Sequence, residues 1–233
     1  MISLQKAYLG MQCFWGAEST FAKLDGVLAT RVGYAGGTTA TPNYRNIGDH
    51  TEITEVQFDE RIISYDKILD CFWENHDPTK EKYGKRKLRT YIQKLIQFYQ
   101  AEDYHQKYWL RCQTAIFEKL NLNDEEVVSS LLATKVNAFL GGYKNFDVLK
   151  QLADKYRLDD DVIQLIESIA VKSGDTSACH FVNLIAQSLR GVDLISVCLI
   201  RWSERRCGVD WLAREAMRWD DSCGKDGWTV GLS

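Results

Sequence analysis

Residues 6–24 change hydrophobic period with no linker between. Lys6 to Gly10 reads as a short apolar strand, and from Phe14 a stripe through Ala17, Phe21 and Leu24 recurs at helical spacing, about 3.6 residues per turn. Cys13 falls at this strand-to-helix junction. Backbone N–H groups are unpaired in the first turn of a helix and the dipole there favours negative charge, so a thiol at this point tends to ionise. The thiolate is the nucleophilic form. Phe14 and Trp15 follow directly and can wall an apolar pocket beside the sulfur. The same spacing also suits a plain buried cysteine with two core aromatics behind it.

Val27 to Tyr34 reads as a second strand, broken by Gly36-Gly37. Thr38 to Asp49 is rich in Thr, Gly, Asn and Pro and is expected to be a loop carrying Tyr44. His50 to Asp59 alternates: Glu52, Thr54, Val56 and Phe58 share one face, Ile53, Glu55 and Gln57 the other. Val56 and Phe58 mark the core side, which turns Glu52 inward. A carboxyl there loses hydration, its charged form is disfavoured, and it can serve as a proton donor near neutral pH. The alternative is a Glu52 at the wet end of its strand with no role. Ser64 is a good N-cap for a helix striped by Tyr65, Ile68, Leu69, Phe72 and Trp73, which Pro78 stops. Leu88 to Leu95 can form a strand and Ala101 to Arg111 a helix. Three helices follow, opened by Asn123 with its acidic neighbours, by Asn145, and by Asp159-Asp160-Asp161. Gly141-Gly142 is a helix end rather than a phosphate loop.

The formal net charge of −3 supplies no long-range attraction to nucleic acid or to an anionic membrane, and Lys80 to Arg89 reads as a solvated basic loop. Met1 to Lys6 lacks the apolar core of a signal peptide, and the most apolar window, Phe181 to Ile200, carries Arg190 and Asp193, so neither a leader nor a membrane span is expected. Seven cysteines with no C-x-x-C pair fit neither a disulfide framework nor a zinc ribbon and suit a reducing cytoplasm, where a disulfide is transient and catalytic. His50, His76 and His105 have no metal-ligand spacing, so no metal is expected. A cysteine hydrolase would need a histidine base at Cys13; His50 is the one that can be argued.

Cys13-Phe14-Trp15-Gly16, Val32 to Gly37, Tyr44, His50-Thr51-Glu52, Phe72 to Pro78 and Ala101 to Gln106 occur in that order. Together they resemble the A-type peptide-methionine sulfoxide reductases over about residues 6–111. The resemblance implies a ferredoxin-like α/β plait, a mixed sheet with helices around it, plus a C-terminal helical extension. It also implies roles. Cys13 attacks the sulfoxide sulfur, Phe14 and Trp15 cage the methyl group, Glu52 gives a proton to the sulfoxide oxygen, and Tyr44 hydrogen-bonds that oxygen. Cys13 becomes a sulfenic acid, a second Cys converts it to a disulfide, and thioredoxin (dithiothreitol in vitro) reduces it. The substrates implied by the resemblance are the S-sulfoxide of methionine, free or in oxidised proteins, in a protein-repair role under oxidative stress. No metal or organic cofactor is implied, and a monomer is expected.

The chain departs from that family in three places. Gln12 stands where a Gly is usual. The Asp- and Tyr-bearing run that usually follows H-D-P is absent after about residue 79, with a strand and helix beyond it, which would leave a sheet edge unpaired; neither Tyr83 nor Tyr91 fits the motif. This leaves open a second class, a catalytically impaired isoform that acts as a binding or regulatory protein. The expected division is 1–118 catalytic, 119–170 helical extension, similar in pattern to longer arthropod-type members, and 171–233 an atypical tail, poorly ordered or weakly helical near Val209 to Arg218. That tail holds four of the seven Trp and four of the seven Cys. Cys179 is the candidate resolving cysteine, with Cys198, Cys207 and Cys223 behind it, while Cys71 and Cys112 read as structural.

Overall fold

The computed structural model describes residues 2–11, 13–76 and 91–173, with strand 197–200, all within one compact unit, Met1–Arg201. Gln12, the basic run 80–89, the deletion expected after 79, Tyr83, Cys179, Cys207, Cys223 and the 209–218 segment lie outside the described residues.

β1 (Leu4–Leu9) runs into α1 (Phe14–Ala22), which returns through β2 (Val27–Ala35) and β3 (Thr51–Asp59) to α2 (Tyr65–Asn75). β3 lies between β1 and β2 and is antiparallel to both, with Ala7 and Thr30 each opposite Val56. β1 and β2 are therefore parallel, and β1–α1–β2 is the split βαβ unit of a ferredoxin-like plait. Ser64 caps α2 as its sequence predicts, its Oγ accepting the Lys67 N–H at 3.3 Å.

The Glu52–Thr54–Val56–Phe58 face does turn inward toward α1, marked by the Thr30 hydroxyl donating to Glu18 of α1 at 3.1 Å. The opposite face is covered as well: Ile53 and Glu55 are both fully buried. Glu55 survives there because Arg31 grips both its oxygens, at 2.7 and 2.8 Å, and Lys6 stands 3.4 Å away. Tyr8 and Phe98 meet on that side at 5.5 Å. Two short strands come next in the chain, β4 (Tyr91–Lys94) and β5 (Phe98–Gln100), and they lie at opposite edges of the sheet. β5, three residues with no room to show an alternation, extends the sheet beyond β2, and only glycine permits it at position 33. A Cβ on Gly33 would lie 2.2 Å from the Tyr99 carbonyl oxygen.

The outer edge of β1 is not left open. β6 (Val197–Ile200) pairs with it antiparallel, and β4 lies parallel to β6, giving the order β4-β6-β1-β3-β2-β5. These four residues of the tail are thus strand and not helix. Val-Cys-Leu-Ile is an apolar, partly β-branched run, and an unpaired edge offers it backbone partners.

The stretch from Ala101 to Arg111 is not one helix. It splits into a single 3-10 turn, Asp103–His105, and α3 (Tyr108–Arg111), with Lys107 left-handed between them at φ 53°. That conformation costs roughly 1–2 kcal/mol. It is offset by buried bonds a continuous helix could not make. The Gln106 amide pairs with both the N–H and C=O of Val32, at 2.9 and 2.8 Å, and donates to Ala101 O at 2.9 Å. The Lys107 ammonium reaches Glu18 at 2.8 Å and Thr30 O at 2.5 Å.

Among the described residues five helices follow: α4 (Thr114–Leu120), α5 (Asp124–Ser129), α6 (Leu131–Leu140), α7 (Phe146–Tyr156) and α8 (Asp160–Lys172). Asn123 opens α5 with a complete capping box, and Ser130 separates α5 from α6 by capping the latter. Gly142, at φ 91°, turns the chain out of α6 as the Gly-Gly pair predicts. Helix α6 is buried on all sides and shares one apolar core with Leu110 and Ile116 upstream and Leu149, Val162 and Ile166 downstream. Its Lys135, almost wholly buried, donates to the carbonyls of Ala22 and Leu24, both at 2.8 Å, at the C-terminal end of α1. The extension is therefore joined to the first helix by charge as well as by packing.

Candidate active site

Cys13 is the N-cap of α1, in extended conformation at φ −66° and ψ 124°, and its side chain makes no capping bond. It is half-buried and carries a thiol. The helix begins at the next residue, so the first-turn N–H groups and the positive end of the dipole sit beside the sulfur. One of those groups is committed: the Phe14 N–H donates to Glu52 Oε2 at 3.0 Å. Glu52, 9% exposed, enters from β3 opposite Tyr34. The strand's alternation and the helix's start thus converge on one hydrogen bond that joins the acid to the residue after the thiol.

Tyr44 sits in a tight turn closed by Asn43 and Asn46, each N–H bonding the other's carbonyl. Burial raises its phenol pKa, with smaller contributions in the same direction from Glu52, Cys13 and Tyr104 nearby, so Tyr44 stays protonated. The turn is held by Glu102: Oε1 accepts the Tyr44 N–H at 3.0 Å, and Oε2 accepts the Tyr34 hydroxyl at 2.9 Å.

Phe14 is 1% exposed and Trp15 half-buried, their rings 6.3 Å apart. Trp15 stacks flat on Tyr108, with centroids at 3.7 Å and planes 6° apart, and its indole N–H donates to His105 Nδ1 at 3.1 Å. His105 is 1% exposed and lies against Phe14, Tyr44 and Tyr104 at 5.1, 4.5 and 4.1 Å. Burial drives its pKa down to about 4 despite the opposing charge of Glu102. Glu102, His105 and Tyr108 were given no role from the sequence. Glu102 and His105 lie within the Ala101 to Gln106 motif that carries the resemblance, and their three-residue offset places both on one side of a single turn.

The structure brings together Cys13, Phe14, Trp15, Glu52 and Tyr44; Cys179 lies outside the described residues. Cys198 is on β6, opposite Leu9 in register. Cys71 is buried, which pushes its thiol up to about 11 and makes it a poor nucleophile, while Cys112 is exposed beyond α3. His50 is occupied at both nitrogens, Nδ1 accepting the Gly37 N–H at 3.1 Å and Nε2 contacting Thr39 O at 2.8 Å, so it latches the loop and does not serve Cys13 as a base. His76 stacks on Phe72 at 4.7 Å. Among the described residues no group of three His, Cys, Asp or Glu side chains is placed to hold a metal ion, and no helix is long and apolar enough to cross a membrane.

The profile of the family described as peptide methionine sulfoxide reductase matches residues 5–84. A peptide methionine sulfoxide reductase of Drosophila melanogaster is 37% identical over 179 residues, covering 64% of this chain and 73% of that protein. One from Methanococcus maripaludis is 35% identical over 149 residues, covering 48% of this chain and 95% of that protein. The crystal structure of Mxr1 from Saccharomyces cerevisiae in reduced form aligns at 21% identity and a TM-score of 0.40, over 46% of this chain and 85% of that one. On the extent of its identity to the fly protein, the chain belongs to the peptide methionine sulfoxide reductase family.

Proposed function

We propose that this protein reduces methionine S-sulfoxide, free or within oxidised proteins, with Cys13 as the reacting thiol. The observation that carries the reading is the bond from Phe14 N–H to Glu52, which places a buried acid at the helix start that holds the thiol. In this reading the substrate methyl lies against Phe14 and Trp15, and the sulfoxide oxygen is held by Tyr44. The Cys13 thiolate attacks the sulfoxide sulfur while Glu52 gives its proton to the oxygen. The oxygen then passes to Cys13, so methionine leaves reduced and Cys13 becomes a sulfenic acid. A second thiol, for which Cys179 remains the candidate, displaces water to form a disulfide, and thioredoxin takes up that disulfide by exchange. The chemistry needs no metal or organic cofactor. We further propose a cytoplasmic monomer divided as 1–118 catalytic, 119–170 extension and 171–233 tail. The shared core of Leu110 and Ile116 with α6 supports an extension packed directly on the catalytic part.

The test is turnover of dabsyl-methionine S-sulfoxide by the full chain with dithiothreitol as reductant. Turnover abolished in Cys13→Ser supports the enzyme. A folded parental chain without turnover supports the alternative, an impaired isoform that acts as a binding or regulatory protein.

A further inference from the structure

We infer that Glu102 and His105 form a positioning pair that fixes two walls of the substrate pocket from one point, Trp15 through the imidazole and Tyr44 through the carboxylate. The inference rests on the reading of Cys13 as the reacting thiol.

A ring nitrogen that accepts a hydrogen bond carries no proton. Since His105 Nδ1 accepts the Trp15 indole N–H at 3.1 Å, the neutral ring must hold its proton on Nε2. Nε2 is buried and makes no hydrogen bond among the described residues, yet Glu102 Oε2 lies 3.9 Å away. The carboxylate favours that tautomer electrostatically, in the way a carboxylate behind an imidazole commonly selects which nitrogen is protonated. Burial keeps the ring uncharged at neutral pH, which Nδ1 requires in order to accept.

The same carboxylate, through its other oxygen, holds the Tyr44 backbone N–H at 3.0 Å. Trp15 is then constrained twice. Its stack on Tyr108 sets the plane of the indole, and the bond to His105 sets its rotation within that plane. None of these bonds reaches Cys13 or Glu52, and the imidazole arm ends at Trp15, so loss of the imidazole acts on substrate fit.

His105→Asn keeps an acceptor oxygen near the Nδ1 position; His105→Leu removes it. His105→Leu is expected to raise KM for methionine S-sulfoxide about tenfold, with kcat within about twofold of parental, the scale of one buried hydrogen bond left unmade. His105→Asn should recover most of that loss. Long-range 1H–15N spectra of the parental chain, with the Trp15 indole signal identified by Trp15→Phe, should show His105 as the Nε2–H tautomer and a slowly exchanging Trp15 indole N–H. A proton on Nδ1, or a His105→Leu variant with parental KM, overturns the inference. The tautomer is read without turnover, so an inactive parental chain would overturn the proposed activity and leave this test standing. Should His105→Leu fail to fold, the parental tautomer and the His105→Asn kinetics decide.

Discussion

Glu52 accepts the Phe14 N–H at 3.0 Å, so the acid is pinned to the opening turn of the helix that has Cys13 as its cap. The bond joins residues 38 positions apart in sequence and makes the geometry of the acid a property of the helix start. A side chain that retains an acceptor oxygen can keep this bond without being able to give a proton.

Glu52→Gln is therefore expected to fold normally and lose about 10²- to 10⁴-fold in kcat, the usual span for removing a positioned proton donor. The deficit should widen as pH rises, since solvent supplies fewer protons to take the donor's place. Rates of sulfoxide reduction between pH 6 and 9 check this, and parental rates in the Gln variant would take Glu52 out of the mechanism.

His105 makes folding sensitive to acid. Its pKa in the folded chain is pushed to about 4, below the ordinary value of 6.5. Between those values the unfolded chain binds a proton that the folded chain does not, so stability falls as pH drops from 6.5 toward 4. Urea unfolding midpoints at pH 7, 5.5 and 4.5 should show a shallower decline in His105→Asn than in the parental chain.

Lys135→Met should leave the carbonyls of Ala22 and Leu24 without their buried donor and cost about 1–3 kcal/mol. The Lys135 pKa is lowered by burial to about 8 from 10.5, against a smaller opposing effect of Asp25. The unfolded chain binds the extra proton between those values, so this group contributes rising stability from pH 8 to 10.5. Chemical denaturation across that range should show the alkaline rise diminished in Lys135→Met.

Glu18 and Lys107 are fully buried partners, 2.8 Å apart. Removing one charge strands the other, so Glu18→Leu alone is expected to cost about 3–5 kcal/mol. The double variant Glu18→Leu with Lys107→Met should be less destabilised than that single one. A double-mutant cycle by urea unfolding measures the difference.

The plait was legible wherever a single period ran long enough. The strand-to-helix change at Cys13, the alternation through Glu52 and the Ser64 cap are local patterns, and each identified its element. Burial of the second face of β3 was not legible. Ile53 and Glu55 look like an outward face until Arg31 and the 95–98 segment cover them, and those partners are distant in sequence. The helix expected from Ala101 to Arg111 failed for a related reason: Gln106 and Lys107 bond to β2 and α1, contacts that local helix propensity does not register. β5 was too short to declare itself. In the site, Cys13, Phe14, Trp15, Glu52 and Tyr44 were found from the chain itself or its family resemblance, whereas Glu102 and His105 act only through what folds around them.

The Gln106 side chain has a consequence for the molecule among its neighbours. By pairing with both the N–H and the C=O of Val32, one amide takes the place of a further strand just where β5 ends. Bare strand margins invite pairing between molecules, the first step toward aggregates. Here the margin is met from within the same molecule, by Gln106 and the Ala101 N–H at Val32 and by the Lys107 ammonium at Thr30 O, so another copy finds those bonds already taken.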